Sequence, residues 1–207
     1  MMKKNSSIWL FILIVLAIPV AAYALITVYE SNAGSLPVLG KTKDHRIEDF
    51  DLLNQDGEKK GTINWKNKIV VTDFFFTYCP SICPKMTNSM KVVQDAFKND
   101  EQVHLNSISI DPERDSAARL KQYADLYNID TKNWDLLTGS KKVIYKMARN
   151  SFMIVATDGD GGADDFIHSE KLVLTDSKKR IRGYYDGTSS DEVKQLIKDI
   201  KKLKHEK

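Results

Sequence analysis

An α/β domain behind a single apolar N-terminal helix is what the sequence predicts, on three observations. Uncharged residues run unbroken from Ile8 to Tyr29. Beyond them, short β-branched and aromatic runs alternate with stretches whose apolar residues recur every three or four positions, the pattern of strands alternating with helices. The only two cysteines, Cys79 and Cys83, sit where such a strand ends and a helix begins, which is where an α/β sheet displays reactive side chains.

Lys3 and Lys4 stand in front of the apolar run, which sets the N-terminus in the cytoplasm and everything after Glu30 outside. A cleavable signal competes, with Ile8 to Ile18 as its apolar region, Pro19 as helix breaker and Ala22-Tyr23-Ala24 as cleavage site. Because the apolar run continues through Leu25 to Val28, an uncleaved anchor is favoured. No cysteine lies near Ala24 for lipid attachment, and no Arg-rich presequence is present, so the expected location is a bacterial cell membrane, crossed once, with the domain facing the periplasm or exterior. The expected boundaries are an anchor or signal peptide over 1–29, a tether over 30–45 and the domain over 46–207, about 160 residues around one core. The 207-residue chain carries a formal charge of +3, and without Lys3 and Lys4 it has 29 basic against 28 acidic residues. That balance leaves no electrostatic footprint for nucleic acid.

Ser31 to Pro37 reads as the flexible part of the tether. Phe50 to Leu53, Asn54-Gln55-Asp56-Gly57 and Gly61 to Asn64 predict a β-hairpin turning at Asp-Gly. Ile69 to Phe76 is nearly continuous apolar sequence, a central strand buried on both faces, with Asp73 its one exception. Met86, Met90, Val93 and Phe97 mark an amphipathic helix from about Pro84 to Phe97, and Met86 reads as core on that stripe. Strands follow at Val103 to Ile110, Trp134 to Leu137, Ser151 to Ala156, Phe166 to Thr175 and Ile181 to Tyr185. Between them come a helix capped by Asp115 or Ser116 with Leu120, Tyr123, Ala124 and Tyr127 inward, and one capped by Ser140 carrying Val143 and Met147. Asp176 to Arg180 is a polar turn. Ser190 caps a last helix whose inner face is Val193, Leu196, Ile197, Ile200 and Leu203. This order is thioredoxin-like, with an added N-terminal hairpin.

Cys79 and Cys83, four apart, lie on one face if a helix includes both, a geometry for a redox-active pair or for two thiolates on a soft metal ion. The loop they close is too short for a structural disulfide to gain much. Of the four histidines, His45 falls in the tether, His205 in the charged tail, and His104 mid-strand in a satisfied structural role. His168 follows the Gly/Asp loop Thr157 to Asp165 at the start of a late strand, an edge that this topology brings beside the cysteine loop. Two thiolates and an imidazole form a soft three-donor set that matches Cu(I) and holds Cu(II) with a weak further ligand. Structural zinc wants four protein ligands, and no convincing fourth is offered. The Asp158-Gly159-Asp160 stretch lacks the glycine and the terminal glutamate of a calcium loop and reads as a solvated turn.

Three motifs in order carry a family resemblance: Asp73 to Pro84 with its two cysteines, Ser107 to Asp115, and His168-Ser169 followed by a strand and Tyr184-Tyr185-Asp186-Gly187. Together they resemble the SCO/SenC family of copper-binding cytochrome c oxidase assembly proteins, over about Leu36 to Ile200. The resemblance implies Cys79, Cys83 and His168 as copper ligands and Asp111 in a supporting position. It implies a metallochaperone, not an enzyme, that accepts copper from an upstream donor and passes it to the dinuclear copper site of cytochrome c oxidase subunit II. The alternative is a thiol-disulfide reductase acting on the cysteines of that copper site. Against it stand the three residues between the cysteines, where the thioredoxin motif has two, and the lack of any proline after Pro112. A thiol peroxidase would need a threonine and proline pattern before its cysteine that is missing here.

Overall fold

The computed structural model describes residues 5–32, 34–154 and 169–206. The chain divides into two units, Met1–Ser35 and Leu36–Lys207. The first contains helix α1, Asn5–Asn32, which runs through Pro19. Its stretch Trp9–Ile26 is long and apolar enough, by length and composition, to cross a membrane.

The second unit is a five-stranded sheet with helices on both faces, plus a separate hairpin. Its strands are β3 Ile69–Phe75, β4 Val103–Ser109, β5 Trp134–Leu137, β6 Lys171–Thr175 and β7 Ile181–Asp186, and its helices are α2 Ile82–Ala96, α3 Ala117–Leu126, α4 Lys141–Lys146 and α5 Ser190–His205. The strand order is β5-β4-β3-β6-β7. β3 runs parallel to β4 and β4 to β5, while β6 lies antiparallel to both β3 and β7. This is the expected thioredoxin-like arrangement.

Every residue of β3 is buried, because alternate side chains serve different cores. Ile69, Val71 and Phe75 pack with Met86, Met90 and Val93 of α2 and Leu196 and Ile200 of α5. Val70 and Phe74 pack on the other face with Trp65, Ile144, Tyr145 and Phe152. Ser116 caps α3 by accepting from Arg119 N, and Ser189, one residue before the expected cap, accepts from Glu192 N at the start of α5.

The hairpin pairs β1 Asp51–Leu53 with β2 Lys59–Gly61. Its second strand ends earlier than the expected span, since a 3₁₀ turn at Thr62–Trp65 takes over. Gly61 permits this: a Cβ there would lie 1.9 Å from Phe50 O. The strand expected at Ser151 to Ala156 does not form over its described part. Instead α4 continues as a π-helical turn, Met147–Ser151. Phe152 is then buried edge-on to Trp65 and Phe74, and its carbonyl accepts from Tyr184 Oη at 2.9 Å, so the backbone is satisfied without a strand partner. On α4, Ile144 and Tyr145 turn inward with Met147, while Val143 faces outward. Phe166, Ile167 and the Thr157 to Asp165 loop lie outside the described residues.

Leu36 to His45, read from the sequence as tether, is bound to the second unit. Leu39 N donates to Ile181 O, His45 Nε2 is 2.8 Å from Ser151 O, and Leu36 N donates to Glu206 Oε1 at 2.7 Å. Arg182, itself buried, anchors this arrangement. Its guanidinium donates to Leu36 O, Pro37 O, Asp176 and Glu206.

Removing one partner of so buried a charge network leaves the others unpaired, so Arg182→Met is expected to lower stability by about 3 kcal/mol or more. Urea unfolding measures this, and a loss below about 1 kcal/mol would contradict the clamp. Hydrogen exchange should speed up at the Leu36 and Leu39 amides.

Candidate metal centre

Because β3 is central and parallel to β4, its C-terminal end opens at the sheet edge, where Phe76 to Ser81 turn the chain into α2. Cys79 N donates to Phe76 O, closing the turn. Only Cys83 belongs to α2; Cys79 lies in the turn before it. The pair meets nevertheless, since Cys79 Sγ accepts from Cys83 N at 3.4 Å across the first helical turn. Neither cysteine is disulfide-bonded.

The two thiols have opposite acidities. Partial burial opposes the Cys79 thiolate, but donors from the N–H groups of Cys83, Ser81 and Ile82 and from the Cys83 thiol outweigh it and hold its pKa below the ordinary thiol range. Cys83 is buried, and burial, aided by repulsion from Cys79 and Asp73, pushes its thiol up to about 12. The more exposed sulfur is thus the more acidic of the two, and the buried one its hydrogen-bond donor.

Asp115 fixes the approach to Cys79. Its fully buried carboxylate accepts from Thr77 N at 3.0 Å, Thr77 Oγ1 at 2.6 Å and Ser109 Oγ at 2.6 Å. The sequence marked Asp115 as one of two candidate helix caps; Ser116 takes that role and frees Asp115 for the loop. Asp111, at the end of β4, pairs with Arg114. Arg114 and Arg119 both lie over the Tyr78 ring, 5.3 and 4.7 Å from its centroid, so Asp111 is linked through one guanidinium to the neighbour of Cys79.

Asp73 is the other buried carboxyl here. Burial raises it to about 7, opposed by hydrogen bonds from Ser107 Oγ, at 2.5 Å, and its own backbone N–H. Ser107 Oγ in turn accepts from Trp134 Nε1. The one charged residue in an apolar strand was the sequence signal for it.

His168 lies outside the described residues. Among the described residues, no group of three His, Cys, Asp or Glu side chains suited to a metal occurs, so Cys79 and Cys83 are the donors the structure brings together. His104 Nε2 is paired with Asp135 at 2.9 Å, His205 ends α5, and Met86 is wholly buried in the core.

Two measurements follow. The Asp73 carboxyl is raised above its unfolded value, so the folded state holds a proton that the unfolded state releases. Stability from this group is complete below pH 4 and lost as pH rises through about 7. Urea unfolding should show a decline on the order of 4 kcal/mol across that window, and Asp73→Asn should flatten it. Under limiting iodoacetamide at pH 8, peptide mapping should find Cys79 alkylated at least about tenfold faster than Cys83; equal rates would contradict the assigned acidities.

The profile of the SCO1/SenC family matches residues 40–205. The SCO1 protein homolog of Bacillus subtilis is 32% identical over 160 residues, covering 76% of this chain and 82% of its own. BsSco, solved as a member of the Sco family of cytochrome c oxidase assembly proteins with a disulfide switch, is 31% identical with a TM-score of 0.68, over 82% of this chain and 99% of its own. ScoI of Arabidopsis thaliana, solved with copper bound, is 25% identical with a TM-score of 0.60, over 75% of this chain and 98% of its own. A profile match across nearly the whole second unit, on a thioredoxin-like sheet that pairs Cys79 with Cys83, establishes that the chain belongs to the SCO1/SenC family.

Proposed function

We propose that this protein is a copper metallochaperone for assembly of the dinuclear copper site of cytochrome c oxidase subunit II. It would be anchored by α1 with its N-terminus in the cytoplasm and its domain outside, and loaded by an upstream copper donor. The observation that carries this reading is the Cys79–Cys83 pair: two sulfurs converging at a helix N-terminus, one of them made more acidic by the donors around it, in a family with a relative solved copper-bound. Two thiolates suit Cu(I), and His168 supplies the third donor that also accommodates Cu(II).

Cys79 makes first contact, being half-exposed and the more acidic. Cys83 must lose its proton to become the second ligand, so uptake releases protons and weakens as pH falls. The half-exposed position of Cys79 leaves one side open to an incoming thiolate, so the ion leaves by ligand exchange. Asp111 supports the site indirectly, by fixing Arg114 against Tyr78.

The asymmetric acidities also favour a second reading, a thiol-disulfide reductase. Cys79 would attack a partner disulfide, and Cys83 would resolve the mixed disulfide, leaving the protein oxidised and the partner as a dithiol. The disulfide switch described for BsSco accords with it.

In the full-length protein, His168→Ala is expected to weaken Cu(II) binding at least about tenfold while both thiols still titrate. Unchanged copper affinity would remove His168 from the ligand set. Supplying a subunit II copper domain with its cysteines already reduced separates the functions: copper transfer then supports the chaperone, and activity confined to oxidised partner supports the reductase.

A further inference from the structure

The end of the sheet remote from the cysteines is formed where β3, β4, β5 and β7 begin and β6 ends. The C-terminal ends of α2 and α5 meet there too, joined by the ion pair of Lys204 with Asp100. Four acids at this end are already neutralised: Asp49 by Lys179, Asp100 by Lys204, Asp176 by Arg180 and Arg182, and Glu206 by Arg182. Asp44, Asp95, Glu101, Asp125 and Asp130 are in no ion pair among the described residues. Against these five stand Lys68, Lys98, Lys132, Lys178, Lys201 and Lys202, all exposed or half-exposed and none in an ion pair among the described residues. Lys41 and Lys43 precede Asp44, and Arg46 reaches the carbonyl of Lys178.

The chain enters the domain at this same end. Leu36 is held by Glu206 and Arg182, and Leu39 pairs with Ile181 at the start of β7. The apolar stretch of α1 ends at Ile26, ten residues before Leu36. Even fully extended, so short a segment spans at most ~35 Å. A lysine-rich surface on so short a leash is held close to any membrane that α1 occupies, where the surface potential of anionic lipid acts within a Debye length.

We propose that this lysine-bearing end of the domain docks on anionic phospholipid headgroups, leaving the cysteine edge turned toward the aqueous side. The proposal rests on α1 as a membrane anchor and is independent of which reaction the cysteines perform. Docking reduces the orientations the tethered domain samples, so a partner in the same membrane meets the cysteine edge in a restricted range of approach.

The test uses the full chain in nanodiscs, first with zwitterionic lipid alone and then with anionic phospholipid added, with lysines labelled by an amine-reactive ester and read by mass spectrometry. Retention in the disc checks the anchor separately. In anionic discs at low salt the six lysines should label about fivefold more slowly, the factor equivalent to roughly 1 kcal/mol per lysine at such a surface, and high salt should restore them. Lys85 and Lys142, at the cysteine edge, should label equally in both lipids. The variant Lys178→Glu/Lys201→Glu/Lys202→Glu should return Lys98 and Lys132 to the zwitterionic rate. Equal labelling in both lipids overturns the proposal. Protection that persists in zwitterionic discs and grows with protein density assigns the face to a second copy of the chain and overturns it equally.

Discussion

The buried carboxylate of Asp115 is the constraint on which the cysteine edge depends. Three donors converge on it from two segments, Thr77 just beyond β3 and Ser109 at the end of β4. Without it, the backbone between Phe75 and Cys79 would lose the bond that Thr77 N makes and the pairing of Thr77 with Ser109 through one carboxylate. A buried carboxylate is costly unless its lone pairs are satisfied, so the loop and the carboxylate each require the other. The clamp sets where the chain enters α2, and that entry point aims the N–H of Cys83 at the sulfur of Cys79.

From that placement the acidities follow without any cation touching the sulfurs. Cys79 faces backbone donors at a helix N-terminus, where partial positive charge gathers, while Cys83, one turn on, is packed beside Met86 and Phe75 in the apolar core. Four residues of separation thus bridge two dielectric environments. Asp73 extends the inner environment: it lies on the same strand face as Val71 and Phe75, has only Ser107 and its own amide to stabilise its charge, and adds to the resistance of Cys83 to ionisation.

How much of this the sequence disclosed depended on whether the controlling contacts were local. β3 was legible because a strand buried on both faces has no polar side to show, and α2 because its methionines and Val93 repeat at helical spacing. The run from Ser151 misled for the same reason that β3 did not: apolar residues there serve the packing of Phe152 between Trp65 and Phe74, and no strand pairs with them among the described residues. Ile63, read as part of the second hairpin strand, is instead in a 3₁₀ turn and exposed, because the close approach of Gly61 to Phe50 is invisible in a hydrophobicity pattern. The cysteine pair was evident as a motif, yet its asymmetry was not, since it comes from which sulfur the helix start captures. The roles of Asp115 and Arg182 were hidden because their partners lie 38 positions away at Thr77 and 146 away at Leu36.

The way Cys79 is stabilised bears on what it is suited to hold. A lysine or arginine against the sulfur would lower the thiol pKa as effectively, but it would also repel an arriving metal cation. The two arginines nearest this edge are engaged elsewhere: Arg114 with Asp111, Arg119 with Thr77 Oγ1, and both over the ring of Tyr78. Backbone N–H groups carry no net charge and release the sulfur at the loss of a few hydrogen bonds. A sulfur held in this way has no neighbouring positive charge to repel an arriving cation, and its thiolate, once formed, keeps its full charge available to one.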